Sequence, residues 1–179
     1  MQELEVVDEN DKIIGKYSRE KIHKNGLLHR EIHVWVFNIN NDILFQKRAD
    51  GKDTYPGLWD VAAGGHVEIG DDYETTAIKE LEEETGLKVD KKDLIFVSKL
   101  QKKSFDRSTG KINNAFRSIY IYKFDGEPSD LKVEIGNATL LEFWPVDKVR
   151  NLTEDEKKYF IPYVINEEFQ IIDKIIKLE

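Results

Sequence analysis

Cysteine is absent from the 179 residues, and methionine occurs once. The first absence excludes disulfides, thiolate metal sites and a cysteine nucleophile together, and it fits a reducing cytoplasm as the expected location. Long apolar runs are missing too. No stretch approaches the roughly 20 residues that a membrane-spanning helix needs. The segment "MQELEVVDENDK" has no basic stretch followed by an apolar one, so no secretion signal is read there. Excess positive charge is also lacking. The formal net charge is −8, which argues against a nucleic-acid or membrane-surface binder. An anionic substrate would have to meet local cations or bound metal.

What is present suits one α+β domain. Hydrophobic residues make up 40% and charged residues 35%, an ordinary globular balance at its polar end. The chain reads as a body over residues 1–150 with a helical extension over 151–179 packed on it. "LEVVDENDKIIGKYSR" predicts two short strands around a polar turn. "SREKIHKNG" predicts a short helix capped by Ser18 and stopped by Gly26. "REIHVWVFNINNDILFQKRA" is the strongest strand signal, with a hairpin turn at Asn40-Asn41-Asp42. Strands are also expected in "DLIFVSKLQKKSF", "AFRSIYIYKF" and "ATLLEFWPV", with a loop at 106–110 between the first two. In the tail, Thr153 and Glu156 match a capping box. Ile165, Phe169, Ile172 and Ile176 form a helical stripe expected to pack on the body, with a homodimer contact as the lesser alternative.

The stretch "AAGGHVEIGDDYETTAIKELEEETGL", residues 62–87, carries the chemistry. Its second half predicts a helix over 72–85. On a wheel of roughly 100° per residue, Glu80, Glu83 and Glu84 share one arc and Glu82 points away. Ala77, Ile78 and Leu81 anchor the helix beside them. Like charge so close costs energy, which a divalent cation relieves. Carboxylate and carbonyl oxygens suit Mg²⁺ or Mn²⁺. Gly64, Gly65 and Gly70 bracket a tight loop that permits close backbone approach.

This segment resembles the Nudix box. Gly65 opens it, Asp71 stands where the family has its first Glu, and Lys79 stands where it has Arg. Glu80, Leu81, Glu83, Glu84, Gly86 and Leu87 match in place. The resemblance implies a Nudix fold, a mixed sheet sandwiched between helices. It also implies a hydrolase cleaving a small-molecule diphosphate linkage, such as that of a nucleoside diphosphate derivative. Glu80, Glu83 and Glu84 would be the catalytic metal ligands for Mg²⁺ or Mn²⁺, assisted by the Gly65 carbonyl, with one glutamate also orienting or deprotonating water. Asp71 and Lys79 would join loop to helix, as a pair lacking the reach of Glu and the fork of Arg, and Gly86 completes the motif.

"LHREIHVWVFNINNDILFQKRADGKDTYPGLWD" further resembles type I isopentenyl diphosphate isomerases, and with its flanks the resemblance covers about residues 3–150. It places His23, His29 and His66 near the isomerases' metal histidines, with His66 the best candidate to touch metal or phosphate. Arg48 and Lys52 match positions that contact diphosphate. The isomerase cysteine is replaced by Gly64, and its Glu-x-Glu by "KINNAFRS". An isomerase-like scaffold with hydrolytic chemistry is therefore expected, with isomerase activity or an inert binding module as alternatives. His33 reads as an ordinary strand or loop histidine. Trp35, Tyr55, Trp59 and Phe116 read as core aromatics that also fit a pocket wall.

Overall fold

A computed structural model describes residues 2–52, 54–107 and 109–177. Its architecture is organised around β3 (His29–Phe37), in which every residue but Arg30 is buried. That pattern marks a strand covered on both faces. β3 runs parallel to β8 (Ile112–Lys123), from His29 opposite Ala115 to Phe37 opposite Lys123. It runs antiparallel to β4 (Ile43–Arg48) and to β6 (Ala63–His66). With β5 (Trp59–Val61), β7 (Leu94–Phe105) and β9 (Ala138–Trp144) this makes a mixed seven-stranded sheet of order β5-β4-β3-β8-β7, to which β6 adds on β3 and β9 on β4. The expected turn between β3 and β4 is present. Asn41 takes φ 62°, and the Asn38 side chain accepts from the backbone N–H of Asn40 and of Asp42 at 2.9 Å each. The expected loop at 106–110 lies between β7 and β8, with Ser108 outside the described residues.

Alternation along β3 assigns its two faces. Ile32, Val34 and Val36 pack with Ala77 and Leu81 of α2 (Tyr73–Thr85). Trp35 and Phe37 pack with Phe160, Val164, Ile165, Phe169 and Ile172. These last residues belong to the tail, where α3 (Val146–Arg150) and α4 (Glu154–Lys157) lead to a π-helical turn (Val164–Glu168) and α5 (Phe169–Ile176). The sheet is thus sandwiched between helices, as expected. The stripe Ile165, Phe169 and Ile172 is buried on the sheet, so it is not free for a second copy. Truncating one such core aromatic to alanine costs about 3–5 kcal/mol. The Thr153–Glu156 capping box is formed in both directions.

α1 (Arg19–Asn25) starts at Ser18, whose hydroxyl accepts from the Lys21 N–H, and ends at Gly26 with φ 62°. β1 (Glu3–Val7) and β2 (Ile13–Ser18) pair as a separate two-stranded sheet. Asp11, in the turn between them, fastens this hairpin to the body. Its carboxylate accepts from Arg30 Nε at 2.6 Å, the Tyr73 hydroxyl at 2.9 Å and Lys99 Nζ at 2.9 Å. Tyr73 is the first residue of α2, so the N-terminal hairpin helps fix where the glutamate helix begins. Among the described residues, no helix is long and apolar enough to cross a membrane.

Candidate active site and metal centre

α2 is set by its ends and its seam. The Asp72 side chain accepts from the Thr75 N–H, and Gly86 closes the helix in the left-handed region at φ 76°. Ala77 and Leu81 are fully buried, which presses the helix onto β6 at the glycine pair. The contact is very close. A Cβ on Gly65 would lie 2.0 Å from Glu80 Oε1, so only glycine lets this carboxylate reach the strand. Glu84 Oε2 accepts from the Gly64 N–H at 2.8 Å and from Gln46 Nε2 at 2.9 Å, and Glu84 Oε1 accepts from Asn137.

The three motif glutamates occupy different environments. Glu84 is buried, Glu80 is half-buried and Glu83 is exposed, as is Glu82. The wheel placed Glu83 with the inward pair. In the fold it falls at the outer rim of that arc, beyond the seam made by Ala77 and Leu81. Burial, and next the repulsion of Glu83, pushes the Glu80 carboxyl up to about 7. Burial, and next the repulsion of Glu80, pushes Glu84 up to about 8. Two carboxyls that resist ionisation, beside a cradle that a Cβ would fill, fit the oxygen-ligand set of a divalent cation.

The remaining motif residues fall as follows. Lys79 Nζ donates to Asp71 Oδ2 at 2.6 Å, so the substituted pair does join the loop to the helix, at the surface. Arg48, Lys52, His66, Gly65 and Glu84 line one cleft of about 590 Å³. Arg48 is braced by Asp60 at 3.1 Å and by the Thr54 carbonyl at 2.9 Å, and Lys52 is held by Asn137. Both cations therefore face the cleft from fixed positions. Tyr55 lines the cleft, whereas Trp35 and Trp59 belong to the core. Phe116 lies under the Lys99 ammonium, 5.6 Å from the ring centre.

A second polar cluster borders the cleft, which two of its members, His23 and His66, line. His23 from α1, His29 from β3 and His66 from β6 present ligand atoms that all lie within 4.8 Å of one another, and they are the only such trio among the described residues. Nδ1 of His29 faces the Leu27 carbonyl at 3.0 Å, and Nδ1 of His23 faces the Ile112 carbonyl at 3.3 Å. Donation there leaves each Nε2 with a free lone pair. His29 Nε2 is buried with no hydrogen-bond partner, and His23 Nε2 is 3.1 Å from His66 Nε2. Burial, and next the charge of His29, lowers His23 to about 4 and His66 well below its usual value. Neutral imidazoles with converging lone pairs suit a divalent transition metal.

Behind the histidines lies a buried ionic network that sequence reasoning missed. Arg117 of β8 donates from Nε to Glu31 Oε1 at 2.9 Å and from Nη1 to Glu168 Oε1 at 2.5 Å. Glu168 Oε2 accepts from His33 Nδ1 at 2.8 Å and from Trp35 Nε1 at 3.3 Å. The Tyr163 ring covers the guanidinium at 4.2 Å. Burial opposes ionisation of Glu31, but Arg117, then His33, hold its carboxyl far below the usual range. One signal was available: Glu168 falls in the apolar stripe one residue before Phe169, where a carboxylate needs a buried partner.

Comparison with known proteins places these observations. A family model described as the NUDIX domain matches residues 27–164. "Nudix hydrolase 3" of Arabidopsis thaliana is 34% identical over 167 residues, which is 89% of this chain; the chain spans only 21% of that protein's length. An isopentenyl-diphosphate Delta-isomerase of Serratia proteamaculans is 30% identical over 157 residues, covering 85% of this chain and 79% of that protein. The solved MutT protein of Methanosarcina mazei Go1 has the same fold, with a TM-score of 0.61 over 82% of this chain and 94% of its own, at 13% identity.

Proposed function

The chain belongs to the Nudix family, and from that membership we propose that it hydrolyses a diphosphate linkage in a nucleoside diphosphate derivative or related small molecule, with Mg²⁺ or Mn²⁺ as cofactor. The observation that carries this is the seating of Glu80 on Gly65 and of Glu84 on the Gly64 N–H, at the mouth of a cleft that also holds Arg48 and Lys52. Glu80, Glu83 and Glu84, with the Gly65 carbonyl, would hold the ion. A divalent cation bound there supplies positive charge against the diphosphate oxygens and acidifies a water. The side chains do the rest. Glu84 is locked in one orientation by its three donors, which preorganises the site. Arg48 and Lys52, fixed by Asp60 and Asn137, receive the anionic diphosphate and offset the acidic field of the chain. His66 lines the same cleft and contacts phosphate or metal. Asp71 and Lys79 hold the loop to α2, and Gly86 ends the helix so that Glu83 and Glu84 stay in its last turn.

The test is a screen of nucleoside diphosphate sugars, dinucleoside polyphosphates and nucleoside triphosphates with Mg²⁺ and with Mn²⁺, run on the wild type and on Glu83→Gln and Glu84→Gln. Metal-dependent release of a nucleoside phosphate that both variants lose, with circular dichroism unchanged, supports the proposal. Full activity in either variant refutes it.

The histidine trio favours a second reading, an isomerase-like enzyme acting on isopentenyl diphosphate. Against it stand Gly64 in place of the cysteine and Asn113, which donates to Glu31 at 3.1 Å, within the segment that replaces Glu-x-Glu. Proton NMR of isopentenyl diphosphate incubated with the protein and Mn²⁺ separates the two. In the hydrolytic reading the trio holds a further divalent ion.

A further inference from the structure

His33 sits on the cleft face of β3, two residues beyond Glu31, and lines the cleft. Its ring is held from one side only. Nδ1 bonds to Glu168 Oε2 at 2.8 Å, and Glu168 is fully buried. The opposite side of the ring, Cδ2 and Nε2, lies against Gly64, where an added Cβ would come within 2.9 Å and 3.3 Å of those atoms. Gly64 is the residue whose N–H seats Glu84. In its neutral form, an imidazole whose Nδ1–H is fixed by a carboxylate presents its other nitrogen as a lone pair. This one presents it beside the glycine pair where the diphosphate is proposed to lie. Burial resists the negative charge on Glu168, but the charged form of the His33 ring and next Arg117 bring its carboxyl down to about 2, so the carboxylate stays ionised when the ring carries the proton. Arg117 is bonded to Glu31 and Glu168 together, which fixes both carboxylates. Of the α2 carboxylates, Glu84 already accepts three hydrogen bonds and Glu83 is exposed, so Glu80 is the competing proton acceptor.

We propose that His33 is a catalytic residue, the acceptor of the proton from the attacking water, and that Glu168 is its positioning residue. This rests on the hydrolase reading above. In the step, the water oxygen forms a bond to phosphorus as the bridging P–O bond breaks. The leaving phosphate takes that bond's electron pair, and the water proton goes to His33 Nε2. The resulting imidazolium is stabilised by Glu168. Release of the proton to solvent or to the departing phosphate restores the neutral ring. The charged groups facing His33 are Glu168 from the tail, Arg117 from β8 and Glu31 on its own strand, with the Tyr163 ring 5.8 Å from its centre.

The test uses the full chain and the substrate turned over fastest in the panel of nucleoside diphosphate sugars, dinucleoside polyphosphates and nucleoside triphosphates. His33→Asn keeps a donor in reach of Glu168 but removes the base. It is expected to lower kcat by about 10²-fold or more, with KM and thermal midpoint nearly unchanged and the acid limb of the pH–rate profile gone. Glu168→Gln keeps an acceptor for Nδ1 but loses the charge, so that acid limb should move to lower pH. If His33→Asn retains kcat within about threefold, or if Glu168→Gln leaves the acid limb in place, this inference is wrong while the hydrolase reading stands. If no member of the panel is hydrolysed by the wild type, the hydrolase reading falls and takes the inference with it.

Discussion

The carboxylate cluster and the imidazole cluster are built in opposite ways. The carboxylates Glu80 to Glu84 come from one turn and a half of one helix, and their placement needs only α2 and the glycine pair beneath it. The imidazoles come from α1, β3 and β6, and nothing but the fold brings them within 4.8 Å. Their electrostatics differ in sign as well. Burial drives the carboxyls of Glu80 and Glu84 upward, toward the protonated form, and drives His23 and His66 downward, toward the neutral ring. Both clusters thus lose charge on burial. A divalent cation would compensate the first by neutralising it and the second by accepting its lone pairs. Local spacing therefore builds the oxygen cluster, and topology builds the nitrogen cluster.

The largest effect that would break this comparison is at the glutamates. Glu84→Gln is expected to reduce metal-dependent turnover by on the order of 10³-fold, whereas His29→Gln should chiefly weaken Mn²⁺ binding; calorimetric titration with Mn²⁺ and with Mg²⁺ reads both. Equal losses of Mg²⁺ affinity in the two variants would show that the clusters form one site. Next is Gly65→Ala. Its Cβ would meet Glu80 at 2.0 Å, and displacing that carboxylate should cost about 10²-fold in kcat/KM with the fold kept, as read by circular dichroism.

A third prediction sharpens the difference of sign. Folded-state values of about 7 and about 8 lie above the ordinary 4.5 of a free glutamate. Between these limits the native state binds more protons than the unfolded chain, so metal-free stability should fall as pH rises toward 8. His23, at about 4 against 6.5, acts in the other direction, and its contribution should raise stability as pH climbs from about 4 to 6.5. Thermal midpoints in EDTA should decline from pH 6.5 to 8, Glu80→Gln should flatten that decline, and His23→Gln should flatten only the acid side. The smallest effect is expected at Asp71–Lys79. This surface pair is screened, so Lys79→Ala should leave the thermal midpoint unchanged within error, with at most a modest change in kcat.

Legibility in the sequence followed the same division. The α2 span, its Asp72 and Gly86 ends, the β3–β4 hairpin and the tail stripe were all readable, because each depends on residues a few positions apart. The glycine pair and the Asp71–Lys79 link were readable from motif spacing. The exposure of Glu83 was not, because a wheel gives direction but not the depth at which the helix packs. Nor was the network of Glu31, His33, Arg117 and Glu168. His33 and Glu168 alone are separated by 135 positions, and each member taken alone resembles an ordinary polar residue in a strand or helix. Only the parallel register of β3 with β8 and the folding of the tail onto that face bring them together.

The most direct measurement is a Mg²⁺ titration, since Mg²⁺ prefers oxygen ligands and largely ignores imidazole. Calorimetry of the wild type, Glu80→Gln and His29→Gln at pH 7.5 should give Mg²⁺ binding in the wild type and in His29→Gln, and at least about tenfold weaker binding in Glu80→Gln. Unchanged Mg²⁺ affinity in Glu80→Gln would contradict the assignment of the α2 carboxylates as the cation site.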